Sequence, residues 1–270
     1  MARSSKMSFL LQRLLHAPSK SPFLKAPSQL CSYSSKQEQV QEISHLQTPP
    51  YPPPLTQQQL STLNQLLPRL LSQPDNLPTA LRLTSAALHT TTPLHALPLS
   101  SLIHFLTSHP DTSPTFSLLT RLRHSPQIHH HITPIALLLL TSYFNNRMCK
   151  PALAVFRWLR RPDSPSPPTR QVYEVVIEGL CRNGFVFEGL SAARDMMLAG
   201  EFVAPCCGGL REWLYRGMLK EARVEDAVEL NDAILGFEKC AGSGSGSDDE
   251  EEAKEKVLAV LERVIARWNE

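Results

Sequence analysis

Six cations crowd one short stretch of this sequence: Arg147, Lys150, Arg157, Arg160, Arg161 and Arg170. Asp163 is the one acid opposing them between residues 131 and 170, so the local net charge is +5. Guanidinium and ammonium groups at that density neutralise phosphate, and phosphate neutralisation supplies most sequence-independent nucleic-acid affinity. The same density also suits a solvated helix face and loop. Other reactive residues gather less well. His129, His130 and His131 are consecutive and cannot all face one ion from a helix. No Cys or acid cluster lies near them in sequence, which reads as a surface loop. Cys206 and Cys207 are adjacent, so a bridge between them is strained, and no second pair exists for a zinc ribbon. The chain has no Ser/His/Asp order, no phosphate-cradling Gly-Lys loop and no zinc-protease His pair. It also lacks the His-x-Glu and Cys-x-x-Cys of a deaminase. The expectation is a non-catalytic protein with no cofactor and no metal.

Helices must position these side chains. The 270 residues are 42% hydrophobic, enough for a packed interior, with 23 Pro against 11 Gly. The longest near-continuous apolar run, Ile135 to Leu140, falls far below the ~20 residues of a membrane span, so no membrane insertion is expected.

Charge divides the chain. Residues 1–36 hold six cations (Arg3, Lys6, Arg13, Lys20, Lys25 and Lys36) and no acid before Glu38. Ser is abundant there, and Phe9, Leu10, Leu11, Leu14 and Leu15 can share one helical face. A basic, acid-free, Ser-rich amphipathic start is the signature of an organelle transit peptide. Removing its six cations from the chain's 27 leaves 21 against 25 acids, net −4, so the remainder is mildly acidic. Residues 37–58 read as a Pro-rich linker, since consecutive prolines cannot join a helix. Residues 241–250 read as a flexible Gly/Ser/acidic linker, and 251–270 as a separate amphipathic helix with Val257, Leu261, Val264, Ile265 and Trp268 on one stripe.

Between the linkers one pattern recurs. Tyr173, Val176, Ile177 and Leu180 stand at i, i+3, i+4 and i+7, the apolar face of a helix, and a second helix follows. Small residues in the second helix, Ala152, Gly189 and Ala227, lie 37 and 38 residues apart. Thr115 takes that slot 37 residues before Ala152, and Ala80 lies 35 before Thr115. A helix pair cannot bury its apolar faces alone, whereas stacked pairs share a continuous core and a small residue lets the neighbouring helix approach. The expected fold is all-α, an α-solenoid of about five helix-turn-helix repeats: degenerate copies over 59–133 and clearer ones over 134–240.

The clearest copy resembles a pentatricopeptide repeat of the plant organelle type. Tyr173, Val176, Ile177, Glu178, Gly179, Leu180, Cys181, Arg182, Gly184, Leu190, Met197, Gly200 and Pro205 match that pattern. The next copy matches in Leu214, Gly217, Met218, Lys220, Ala227, Val228 and Leu230, and residues 134–160 match more loosely. The resemblance implies import into mitochondria, or alternatively chloroplasts, and a role in organelle RNA metabolism or translation. The partners implied are organelle mRNA or ribosomal RNA, bound directly or beside ribosomal proteins.

In that family the residue after the helix-one aromatic reads a base edge. The equivalents here are Ser100, Leu137, Glu174 and Glu212. Ser100 can hydrogen-bond; Leu137 cannot tell a donor from an acceptor; the two glutamates repel phosphate. Residues 171–240 also carry seven cations against twelve acids. A one-base-per-repeat code is therefore not expected. Contact with phosphate falls to Arg147, Lys150, Arg157, Arg160, Arg161 and Arg170. The rival expectation is a protein–protein scaffold in the organelle without direct RNA binding.

Overall fold

The computed structural model describes residues 52–109, 111–203, 207–242 and 247–268. The leader and most of the first linker lie outside the described residues. Among those residues every regular element is helical, with eleven α-helices and three short 3-10 turns. No described helix is long and apolar enough to cross a membrane.

The chain runs α1 (Gln57–Leu71), α2 (Leu77–Leu88), α3 (Leu99–Ser108), α4 (Ser113–Arg123), α5 (Ile132–Asn145) and α6 (Cys149–Leu159). It continues through α7 (Arg170–Arg182), α8 (Val186–Leu198), α9 (Cys207–Lys220), α10 (Val224–Gly242) and α11 (Ser247–Trp268). Local chemistry sets the starts. The Thr56 hydroxyl accepts the Gln59 N–H while the Gln59 side chain accepts the Thr56 N–H, a reciprocal cap that opens α1. Pro78 and Pro114 stand in the first turns of α2 and α4, where a missing N–H costs nothing.

Odd-numbered helices form one row, with α1 against α3, α3 against α5, α5 against α7 and α7 against α9. Even-numbered helices form a second row in the notches of the first. There α6 touches α5 and α7, and α8 touches α7 and α9. Pairing is looser upstream, where α4 packs mainly on α2 and the 3-10 turn Pro126–His131. The core follows the apolar periodicity. Val176, Ile177 and Leu180 of α7 are fully buried, each contributing about 1.5–3 kcal/mol by leaving water.

The turn from odd to even helix repeats its geometry. Arg147, Gly184 and Ala222 all have left-handed φ, at 58°, 81° and 57°. The N–H that follows each donates back to the helix it leaves: Met148 to Tyr143 O (2.8 Å), Phe185 to Leu180 O (2.9 Å) and Arg223 to Met218 O (3.0 Å). This closing turn satisfies carbonyls the helix end would leave orphaned. All five slot residues read from sequence fall in the first turn of an even helix, and all are buried: Ala80, Thr115, Ala152, Gly189 and Ala227.

The small residues that admit the next odd helix are different ones. Ser142 meets Thr107 through a 2.6 Å hydroxyl contact. A Cβ on Gly179 would lie 2.3 Å from the Phe144 ring, and one on Gly217 would lie 3.2 Å from Val186 Cγ2 of α8 and 3.5 Å from Cys181 Cβ of α7. Gly189 instead faces Cys181 and Leu180 of its own pair. Close approach of the next odd helix is thus made at Ser142, Gly179 and Gly217, not at the slot residues, and Gly189 serves its own pair.

The C-terminal helix differs from expectation. Helix α11 begins at Ser247 rather than 251, and it is not separate: it packs on α8 and α10. Ala253, Val257, Val260, Leu261 and Val264 are its buried face. Arg267 bonds both Asp226 (2.8 Å) and Glu229 (2.6 Å), and Arg223 lies over the Trp268 ring at 4.7 Å. Phe202, between α8 and α9, is also core and meets the Phe237 ring at 5.1 Å.

Candidate nucleic-acid interface

The reading-slot residues lie on successive odd helices: Ser100 on α3, Leu137 on α5, Glu174 on α7 and Glu212 on α9. They therefore share the first-row face. Ser100 and Leu137 line one groove of about 880 Å³ between α3 and α5, together with Ile103, His104, Leu138 and Ser142. Leu138 is 44% exposed there. The acids downstream are not free. Glu174 pairs with Arg170 at 3.2 Å, and Glu212 with Arg216 at 2.5 Å, both one helical turn away. Each carboxylate is thus partly neutralised by its own helix, which weakens its repulsion of phosphate. Such exposed pairs are worth little to stability.

The six cations of the basic band divide by partner. Arg170 pairs with Glu174, and its backbone N–H donates to the Glu201 carboxylate at 2.9 Å. Arg160 reaches across to Asp195 at 2.6 Å, a carboxylate only 10% exposed, and also covers the Phe156 ring. Asp163, which the sequence sets against the band, instead pairs with Arg123 of α4. Arg147, Lys150, Arg157 and Arg161 remain exposed, with no ion pair among the described residues.

The positions of these four are unlike those of the slots. Arg147 is the left-handed residue between α5 and α6, Lys150 and Arg157 stand seven apart on α6, and Arg161 follows that helix. Seven residues are nearly two helical turns, so Lys150 and Arg157 share a face about 10 Å apart. That face belongs to the second row. Of the band, Arg170 alone shares the first row with the slots.

Other candidates resolve into structure. The rings of Phe156 and Trp158 on α6 are 3% and 5% exposed, so they pack in the core, and Trp213 is half-buried. The histidine run forms the 3-10 turn Pro126–His131, and His131 is buried rather than on a surface loop. Burial, helped by the neighbouring His130, holds its pKa below the usual imidazole range, while a hydrogen bond with the Leu88 backbone works the other way. Among the described residues no group of three or more His, Cys, Asp or Glu is placed to hold a metal ion. Cys149 and Cys181 are buried free thiols, and burial pushes Cys181 up to about 12. Such a thiol is no nucleophile. The side chains of Cys206 and Cys207 lie outside the described residues.

Local sequence could not reveal which cations were already matched, because Arg160–Asp195 and Arg123–Asp163 join residues in different helix pairs. No protein family matches the chain, and no curated protein matches it.

Proposed function

We propose that this chain is an imported organelle helical-repeat protein, similar to the pentatricopeptide repeat proteins. It acts without catalysis in mitochondrial RNA metabolism or translation, either on RNA directly or beside the ribosome. In this reading α1 to α10 are five two-helix units of an α-solenoid, and α11 is an added closing helix. The observation that carries it is the shared register of turn and slot: Arg147, Gly184 and Ala222 repeat at the same 37 and 38 residues as Ala152, Gly189 and Ala227. Stacked pairs on such a period are the architecture of helical-repeat RNA readers. The acid-free basic leader supports import, with the chloroplast as the alternative destination. The unpaired cations around α6 support phosphate contact.

A second reading, a protein–protein scaffold, is favoured by one observation. Glu174 and Glu212, where a base reader is expected, are tied to arginines of their own helices. Salt titration of RNA binding by the full chain separates the two. The RNA reading expects affinity that falls steeply from low to moderate salt; no binding at low salt leaves the scaffold. Purification of the tagged chain from mitochondria should also recover it with ribosomal subunits or RNA in a nuclease-sensitive fraction.

A further inference from the structure

We propose that Arg147, Lys150, Arg157 and Arg161 form, on the second-row face, a docking site for the phosphate backbone of helical RNA rather than of an unpaired strand. The inference rests on the RNA reading above and names its ligand class and its surface.

Three observations carry it. First, these four are the cations of the basic band left without an ion pair, since Arg160 and Arg170 are held by Asp195 and Glu174. Their charge is free to meet phosphate. Second, they follow α6 as a line, from the turn before it to the residues after it, and half-buried Ala154 lies between Lys150 and Arg157 on the same side. Leu153, the bulkiest residue between them, is half-buried against the core rather than standing out with the cations. Third, α6 offers no ring for a base. Tracking of an unpaired strand draws on aromatic side chains on which successive bases stack. Phe156 and Trp158 are buried in the core. A surface of cations without stacking rings suits a nucleic acid whose bases are already stacked on each other and whose phosphates face outward. Double-helical RNA is bound in that way, by shape and backbone.

The first-row face argues in the same direction. A strand laid along it would pass an apolar groove beside Leu137 and Leu138, then Glu174, Glu201 and Glu212. Neither surface neutralises phosphate.

The test uses the full chain and two fluorescent probes, a perfect RNA hairpin stem of about 16 base pairs and an oligouridine of equal nucleotide number. The variants are K150Q/R157Q/R161Q and its charge-preserving counterpart K150R/R157K/R161K, with R216Q as a first-row control. The stem should bind at least about tenfold more tightly than oligouridine at moderate salt. The glutamine triple should lower the slope of log affinity against log salt by about two to three, as loss of roughly 0.7–0.9 per cation requires. The charge-preserving triple and R216Q should retain the slope. All substituted positions are exposed, and unchanged urea midpoints verify the fold. If oligouridine binds as tightly as the stem, or the glutamine triple keeps the parental slope on the stem, this inference falls while the RNA reading stands. If neither probe binds at low salt, both fall.

Discussion

Asn146 and Asn183 do the same thing 37 residues apart: each sends its side-chain amide to a backbone carbonyl of the preceding odd helix. Asn146 Nδ2 donates to Thr107 O at 3.1 Å, and Asn183 Nδ2 to Phe144 O at 3.3 Å. Both carbonyls stand near helix ends, where intrahelical partners run out. At Thr107 the amide serves a helix-end carbonyl, whereas Phe144 O also accepts the Arg147 N–H at 3.0 Å, so Asn183 takes its second lone pair. The next equivalent position is Glu221, which has no amide to donate.

Asn183 also donates to Gly179 O at 2.8 Å. Replacing it by Asp sets a carboxylate against two carbonyls. N183D should lower stability by about 1–3 kcal/mol, read as a drop in the urea midpoint. E221Q, at the exposed equivalent, should stay within about 0.5 kcal/mol of the parent.

Two glycines should respond with opposite sign. A Cβ on Gly179 meets Phe144 at the Cγ and Cδ atoms of its ring, which cannot swing aside as a chain tip would. G179A should cost about 1–3 kcal/mol, and F144L in the same chain should recover part of that loss. Gly236, within α10, has nothing within 4 Å of where a Cβ would stand. G236A should therefore gain about 0.5–1 kcal/mol from helix propensity. Additive losses for G179A and F144L would refute the proposed contact.

Acid should loosen the turn before α5. His131 is held below its ordinary pKa by burial, so the unfolded chain takes up this proton first as pH falls. The stability that His131 contributes is complete above about pH 6.5, its unfolded value, and is lost as pH drops toward the folded value. H131Q should show a smaller decline in urea midpoint from pH 7 to pH 5 than the parent. An identical decline would mean that this imidazole does not sense the fold.

Alkali should act at Cys181. Its thiol is raised by burial to about 12, so the folded chain keeps a proton that the unfolded chain gives up from about pH 9. Stability from this group is complete below that pH and is lost as pH climbs toward 12. C181A should flatten that decline. In native chain at pH 8, iodoacetamide followed by peptide mass analysis should modify half-buried Cys240 well before Cys149 or Cys181.

How much of this is legible in sequence depends on where each residue's partner sits. The slot Ala80, Thr115, Ala152, Gly189 and Ala227 is legible because each helix pairs with its sequence neighbour and the slot falls in the first turn of the second helix. It marks five even helices correctly, even where Thr115 is no mere spacer: its hydroxyl meets the Tyr143 hydroxyl at 2.7 Å. Gly179 and Gly217 show in sequence as pattern matches, but the contacts of Ser142, Gly179 and Gly217 do not, because their partners stand in the preceding helix pair and differ in type, being Thr107, Phe144, and Val186 with Cys181. The basic band is visible as a cluster, but its division into matched and unmatched cations is not. Asp195 and Asp163 choose their arginines through folding, not through spacing. Helix α11 shows its apolar stripe in sequence, yet nothing local says that α8 and α10 will receive it.

That last contact gives the molecule a polarity. Helices α8 and α10 belong to successive pairs, and α11 straps across both, fastened by Arg263 and Arg267 to Glu229 and by Arg267 to Asp226. Among the described residues no added helix straps the first pairs in that way. Peeling from the N-terminal side can proceed a pair at a time, while the C-terminal two pairs must come away as a block. Limited proteolysis of the native chain should then trim inward from the side of α1, leaving a resistant fragment that ends in α11.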